Sequence, residues 1–72
     1  MTREEFLIEM QDVLQRDEKL DFEMQLQDIE EWDSLSVMAT MAFLEQKFDV
    51  KTTFSDYKEM KTLKDIADKV GI

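Results

Sequence analysis

The sequence predicts an all-α fold, a small bundle of three longer helices and one short helix with a long loop between helices one and two. Proline is absent and glycine occurs once among the 72 residues, which disfavours turn-rich β architectures. Apolar residues recur at helical spacing in several stretches of the chain. The chain has no cysteine and no histidine, so it must be stabilised by helix packing, not by disulfides or zinc.

The first helix is predicted over about residues 3–15. Thr2 and Glu5 stand three residues apart in the pattern of a capping box. Apolar residues follow at the i, i+1, i+4, i+7, i+8 spacing of one helix face. They are Phe6, Leu7, Met10, Val13 and Leu14.

Residues 16–33 are predicted to form an extended loop. Apolar residues alternate with polar ones, at Leu20, Phe22, Met24 and Leu26. Alternation alone indicates a strand, but a lone strand in a helical chain has no partner with which to pair. We therefore expect the loop to lay these side chains onto the helices, with Ile29 and Trp32 in a final turn. Loops of this length are functional or disordered, and the apolar side chains argue against disorder.

The second helix is predicted over about residues 34–47, with two apolar faces. The stripe expected to face the core comprises Val37, Met41, Leu44 and Phe48. The other side carries Leu35, Met38, Ala39 and Ala42. This second face either remains exposed, as apolar patches at interaction sites do, or is covered by the long loop. The pattern favours neither alternative.

The last third of the chain predicts a short helix at about residues 55–60, anchored by Phe54, Tyr57 and Met60. A fourth helix is predicted over about residues 62–70, because Thr62 and Asp65 repeat the capping pattern. Its buried face would comprise Leu63, Ile66, Ala67 and Val70. Gly71 fits a C-terminal cap. We expect residues 1–72 to form a single domain.

The net charge of −9 lies entirely in the first half of the chain. Residues 1–33 hold twelve acids and three bases, whereas residues 34–72 hold six of each. This balance argues against binding to nucleic acid or anionic membrane. It either steers a basic partner towards Ser34 or forms a solvated face. No apolar run approaches the ~20 residues of a membrane span and no secretory signal is recognised, so we expect a cytoplasmic protein. We also predict a monomer.

The residue types argue against an enzyme, and we predict no catalytic residue. The sequence contains no Ser–His or Cys–His pair and no glycine-rich phosphate loop. The acidic stretch Asp28, Glu30, Glu31 and Asp33 offers oxygen ligands for a divalent ion, but it lacks the central glycine of a calcium loop. A solvated acidic loop is the favoured interpretation, and we predict no metal site.

Asp33-Ser34-Leu35 is the most informative segment, since it joins the acidic loop to the second helix. Ser34 has two interpretations. Serine is a preferred N-cap residue, although Asp33 could cap equally well. Alternatively, another protein modifies Ser34, because a helix N-terminus stabilises an anion through its free N–H groups and its dipole.

At these residues the chain resembles the acyl carrier protein family. The resemblance covers nearly the whole chain and rests on the helix order, on Asp33-Ser34-Leu35, and on Phe48-Asp49-Val50 fourteen residues after the serine. It implies that a phosphopantetheinyl transferase attaches 4′-phosphopantetheine from coenzyme A to Ser34. The thiol of that arm would hold an acyl group as a thioester. Asp33 and Leu35 would be read by the transferase, and Asp33 would help to place its magnesium.

The chain departs from the family pattern along the second helix. Carriers of bacterial fatty acid synthesis usually carry several acids there, whereas this helix has only Glu45. We therefore predict dedicated acyl-loading and acyl-transferring enzymes that recognise the apolar residues more than charge, in a specialised pathway such as a surface-polysaccharide, sugar-modifying or secondary-metabolite pathway. The predicted recognition residues are Asp33, Leu35, Met38, Ala39 and Ala42. Two alternatives remain: an aminoacyl or peptidyl carrier loaded by an adenylating ligase, and an unmodified helical adaptor in which Ser34 is only a cap.

Overall fold

A computed structural model describes all residues, 1–72, and its architecture is all-α, as predicted. The helices are α1 (Arg3–Val13), α2 (Ser34–Phe48), α3 (Phe54–Glu59) and α4 (Leu63–Lys69), with a 3-10 turn at Leu26–Asp28 in the long loop. The predicted helix ends differ from these bounds by at most two residues. The order of helices and the long loop before α2 are therefore confirmed.

Both predicted capping boxes are present. The Thr2 hydroxyl accepts a hydrogen bond from the Glu5 N–H at 3.1 Å, and Glu5 Oε1 accepts from the Thr2 N–H at 2.9 Å. Thr62 and Asp65 repeat this exchange at the start of α4. Hydrogen bonds from the N–H groups of Lys61 and Thr62 hold the pKa of Asp65 below its ordinary value. Gly71, with φ +81, follows α4 in the left-handed conformation expected of a C-terminal cap.

Four phenylalanines pack together near the C-terminal end of α2, two of them buried in the core and two half-buried against it. Phe6 is fully buried, and its ring centroid lies 6.1 Å from that of Phe22, 5.9 Å from Phe43 and 6.2 Å from Phe48. Val37 and Leu44 of the predicted stripe are buried, while Met41 and Phe48 are half-buried. The prediction missed three further buried residues of α2, which are Ser36, Thr40 and Phe43.

The long loop does find backbone partners, which the sequence reasoning did not expect. The Leu26 N–H donates to the Lys61 carbonyl at 2.8 Å, and the N–H groups of Leu63 and Lys64 donate to the carbonyls of Met24 and Phe22 at 3.2 and 3.0 Å. The segment entering α4 therefore supplies the pairing that an isolated extended stretch would lack. The result is a single antiparallel bridge between Gln25 and Thr62, not a strand.

The anchoring of α3 differs from the prediction at Phe54. Tyr57 is buried, as predicted, but Phe54 is 46% exposed and does not anchor the helix. The helix has only six residues. The ring of Tyr57 occupies the contact with the core, 6.1 Å from the ring of Trp32, and Phe54 at the first position lies outside it.

None of the four helices has the length and apolar character needed to cross a lipid bilayer.

Candidate functional site

The start of α2 is capped by Asp33, so the interpretation of Ser34 as the N-cap is wrong. Asp33 Oδ1 accepts a hydrogen bond from the Ser36 N–H at 2.9 Å, and the Ser36 hydroxyl accepts from the Asp33 N–H at 2.7 Å. The Ser36 hydroxyl also donates to the Asp33 carbonyl at 2.9 Å. Aspartate is as good an N-cap as serine, and here Ser36 completes the reciprocal exchange that Glu or Gln makes in other helices.

Ser34 is left as the first residue of α2, with an exposed side chain and no hydrogen-bond partner for its hydroxyl. The backbone N–H groups of Ser34 and Leu35 also donate to no protein group, as expected for the first turn of a helix. The first turn of α2 contains no acid, unlike the first turns of α1, α3 and α4. An anion attached at Ser34 would therefore meet free donors and the positive end of the helix dipole.

A surface groove of about 440 Å³ adjoins this helix start, between the end of α1 and the first turns of α2. Its lining is mixed, with apolar atoms of Leu14, Leu35 and Ala39 and polar groups of Gln15 and Asp33. A chain that combines methylene groups with amides could lie against such a lining. The free hydroxyl, the unpaired N–H groups and the groove thus fit a phosphodiester with an amide-containing arm.

The second face of α2 is exposed. Leu35 is 75% exposed and Met38 is 54% exposed, and both alanines of this face, Ala39 and Ala42, are exposed as well. The long loop does not cover them, because its apolar side chains pack onto the core and its backbone pairs with the segment before α4. We call Leu35, Met38, Ala39 and Ala42 the apolar face; it begins immediately beside Ser34.

The four acids nearest before Ser34, at positions 28, 30, 31 and 33, differ in whether their side chains are bonded to other groups. Glu31 Oε1 accepts a hydrogen bond from Arg16 at 2.8 Å, and this contact holds the pKa of Glu31 below its ordinary value. Asp33 is occupied by the cap, whereas the exposed Asp28 and Glu30 form no side-chain hydrogen bond or ion pair. No group of three or more acidic side chains is arranged to hold a metal ion.

Sequence reasoning missed the roles of Ser36 and Arg16. The signal for Ser36 was the spacing Asp33-x-x-Ser36, a polar pair three residues apart at a helix start. Arg16 gave no comparable signal, since its partner Glu31 lies fifteen residues away in the sequence. Such a pair depends on the path of the intervening loop.

Comparisons with known proteins agree with the resemblance seen in the sequence. Residues 4–70 match the family model described as "Phosphopantetheine attachment site". A solved structure from Mycobacterium tuberculosis, of a protein assigned as an acyl carrier protein (Rv0033), superposes with a TM-score of 0.77. It is 28% identical, and the match covers 96% of this chain and 95% of that one. No curated protein sequence matches the chain.

The matched family is defined by the covalent attachment of 4′-phosphopantetheine, and its carrier domains are not themselves catalytic. Such domains interact with the enzymes that modify them and that handle their cargo. The match spans nearly the whole chain, and the fold and the helix start described above agree with it. The chain therefore belongs to the phosphopantetheine-attachment family of carrier proteins.

Proposed function

We propose that Ser34 is the attachment residue and that the chain carries an acyl group, presenting it to partner enzymes. The observation that supports Ser34 is that the cap of α2 is formed by other residues. Asp33 and Ser36 cap the helix between them, so the exposed Ser34 hydroxyl has no structural task. This arrangement also weakens the adaptor alternative, in which capping was the only role of Ser34.

The chain contributes an oxygen nucleophile and an anion site to its own modification. Ser34 Oγ bonds to the phosphorus next to pantetheine in coenzyme A, the pyrophosphate P–O bond breaks, and adenosine 3′,5′-bisphosphate leaves. The proton of Ser34 passes to a base of the transferase, because the chain has no histidine or cysteine. The N–H groups of Ser34 and Leu35 would be available as donors to the resulting phosphodiester. When bound, the arm supplies the thiol that holds cargo as a thioester, so this chain holds and presents what other enzymes transform.

An acyl cargo is favoured over an aminoacyl cargo by the acidity of the chain and by its similarity to a protein assigned as an acyl carrier protein. The second candidate, an aminoacyl carrier loaded by an adenylating ligase, is favoured by a different observation. Helix α2 bears a single acid, Glu45, and offers little to enzymes that bind acidic helices. For both candidates we propose one carrier domain over residues 1–72, acting as a monomer in the cytoplasm with a specialised set of partners.

The proposed function is tested by intact-mass analysis of the protein incubated with coenzyme A, magnesium and a promiscuous phosphopantetheinyl transferase. We expect the mass to rise by one phosphopantetheine, and peptide fragmentation should place the addition on the segment containing Ser34. The modified protein is then offered to acyl and aminoacyl ligases. An acyl thioester, released by hydroxylamine, supports the first candidate, and exclusive aminoacyl loading supports the second. No mass gain in folded protein across several transferases would reject the carrier proposal.

We expect a partner enzyme to recognise the carrier through the apolar face. In Met38→Glu with Ala39→Glu, two charges would have to be desolvated against an apolar partner surface. We expect kcat/KM for loading by the enzyme identified above to fall about tenfold, equivalent to ~1.4 kcal/mol. The measurement is the initial rate of thioester formation on modified protein.

Ile8→Glu is the control for added negative charge outside the apolar face, and it introduces one charge where the double variant introduces two. Ile8 is also an exposed apolar residue, 66% exposed, but lies on α1. Loading of Ile8→Glu should remain within about twofold of wild type. Unchanged loading of the Met38/Ala39 variant, or an equal loss in Ile8→Glu, would contradict recognition through the apolar face.

A further inference from the structure

The four residues before Ser34, Glu30 to Asp33, are held from two sides by neighbouring side chains; we call them the strap. Glu31 contacts Arg16, which follows α1, through a hydrogen bond of 2.8 Å. Trp32 contacts Tyr57 of α3, with ring centroids 6.1 Å apart and planes at 50°. The strap thus spans from the end of α1 to α3 immediately before the modified helix begins.

On the α1 side, the backbone directs Arg16 towards the strap. Gln15 adopts a left-handed conformation, φ 54, which is unfavourable for a residue with a side chain. The Arg16 N–H then closes the helix end by donating to the Gln11 carbonyl at 3.0 Å. The Arg16 side chain is only 12% exposed, and its Nε is buried without a partner. A buried unpaired donor costs free energy, whereas the other guanidinium nitrogens of Arg16 reach Glu31 at 2.8 Å and Glu18 at 3.4 Å.

On the α3 side, the ring that meets Trp32 is itself locked. Tyr57 is 5% exposed, and its hydroxyl forms a buried hydrogen bond of 2.8 Å with the Thr52 hydroxyl. Burial raises the pKa of Tyr57, so the hydroxyl keeps its proton. A side chain with a fixed ring and a satisfied hydroxyl gives Trp32 a single surface against which to pack.

Backbone hydrogen bonds fix the segment that connects the strap to Ser34. The Trp32 N–H donates to the carbonyl oxygen of the buried Ile29 at 3.0 Å. The Asp33 N–H donates to the Ser36 hydroxyl at 2.7 Å. A shift of Trp32 or Glu31 would therefore displace Asp33, and with it the cap that orients the first turn of α2. We propose that Glu31 and Trp32 are positioning residues that set the place of the Ser34 hydroxyl for the modifying transferase.

This inference rests on the proposed attachment at Ser34. A bound geometry that is wrong by about 1 Å can slow a reaction by up to ~10²-fold, so a displaced nucleophile should lower kcat. A loss of docking should instead raise KM and leave kcat unchanged. A purely structural strap would change stability and leave both constants of the folded protein unaltered.

The test compares the rate of Ser34 modification in Trp32→Ala, Trp32→Phe and Phe22→Ala. All rates are measured by mass at a temperature where circular dichroism shows each variant to be folded. Phe22→Ala also removes a half-buried aromatic side chain, but its ring stacks on Phe6, and Phe6 contacts α2 at Phe43 and Phe48. Those residues are on the order of 14–21 Å along the helix from Ser34. We expect a fall in kcat of about tenfold in Trp32→Ala, substantial rescue in Trp32→Phe and no fall in Phe22→Ala.

The Glu31 contact is tested by Glu31→Ala against Glu30→Ala. Both variants remove one negative charge from the strap, but only Glu31 is bonded to Arg16, whereas Glu30 is exposed. We expect kcat to fall severalfold in Glu31→Ala and to stay at the wild-type value in Glu30→Ala. Equal changes confined to KM in the two variants would show that the acids act by charge and would overturn the role of Glu31.

Failure of this inference is separable from failure of the proposed function. If the wild-type chain gains no phosphopantetheine, the attachment proposal fails. If the wild type is modified and Trp32→Ala retains its kcat, or if Phe22→Ala loses as much, the positioning role of the strap is rejected. Should Trp32→Ala not fold, Trp32→Leu, which keeps an apolar side chain, is judged by the same criteria.

Discussion

Replacement of Ser34 by alanine is expected to abolish phosphopantetheine attachment, whereas Ser55→Ala should be modified as completely as the wild type. The chain has three serines, at positions 34, 36 and 55. Ser36 is 8% exposed and its hydroxyl is occupied by the cap, and Ser55 lies on the short helix α3. Ser34 alone combines an exposed hydroxyl with the unpaired donors at the start of α2. Intact mass after the transferase reaction measures the outcome.

Ser36→Ala provides a second comparison for this result. It removes half of the capping exchange, which should destabilise the helix start by about 1 kcal/mol, but it leaves the Ser34 hydroxyl in place. We expect slower yet complete modification of this variant. A full mass gain in folded Ser34→Ala would show that phosphopantetheine is attached at Ser36 or Ser55. The proposal that Ser34 is the attachment residue would then be wrong.

Replacement of Phe6 by alanine should remove a large part of the folding free energy. Phe6 is fully buried and contacts the other three phenylalanines of the core. Phenylalanine-to-alanine changes in cores cost about 3–5 kcal/mol. Domains of this size have free energies of unfolding at the low end of the usual range of ~5–15 kcal/mol. Urea unfolding followed by circular dichroism should therefore show a midpoint shifted far towards zero denaturant, or a chain already unfolded in buffer.

Ile8→Ala serves as the control for Phe6→Ala, because it truncates an apolar residue of the same helix that is 66% exposed. Its unfolding free energy should stay within about 0.5 kcal/mol of wild type. A loss below ~1 kcal/mol in Phe6→Ala would mean that the phenylalanine cluster is not a main source of stability.

The sequence was most informative where the interactions are local. The four helices, the caps at Thr2 and Thr62, and the left-handed Gly71 depend on residues within about four positions of one another. The Asp33-Ser34-Leu35 segment and its fixed spacing of fourteen residues from Ser34 to Phe48 are linear patterns as well, and they indicated the family without any tertiary contact.

Sequence reasoning was weaker where two residues could satisfy the same local rule. Asp33 and Ser34 were equally good N-caps, and the choice of Asp33 depends on Ser36 closing the exchange. Phe54 and Tyr57 were both predicted to anchor α3, but only Tyr57 is buried, where Trp32 and Thr52 contact it.

The sequence by itself therefore determined the helical class, the order of the elements and the serine at the start of α2. Only the tertiary structure decided that this serine is free, that the apolar face beside it is uncovered, and that the strap before it is held by Arg16 and Tyr57. The physical reason is separation along the chain. Caps and helical periodicity act within a few residues, whereas the partners of Glu31 and Trp32 are brought to them by the path of a long loop and by the packing of α3 against the core.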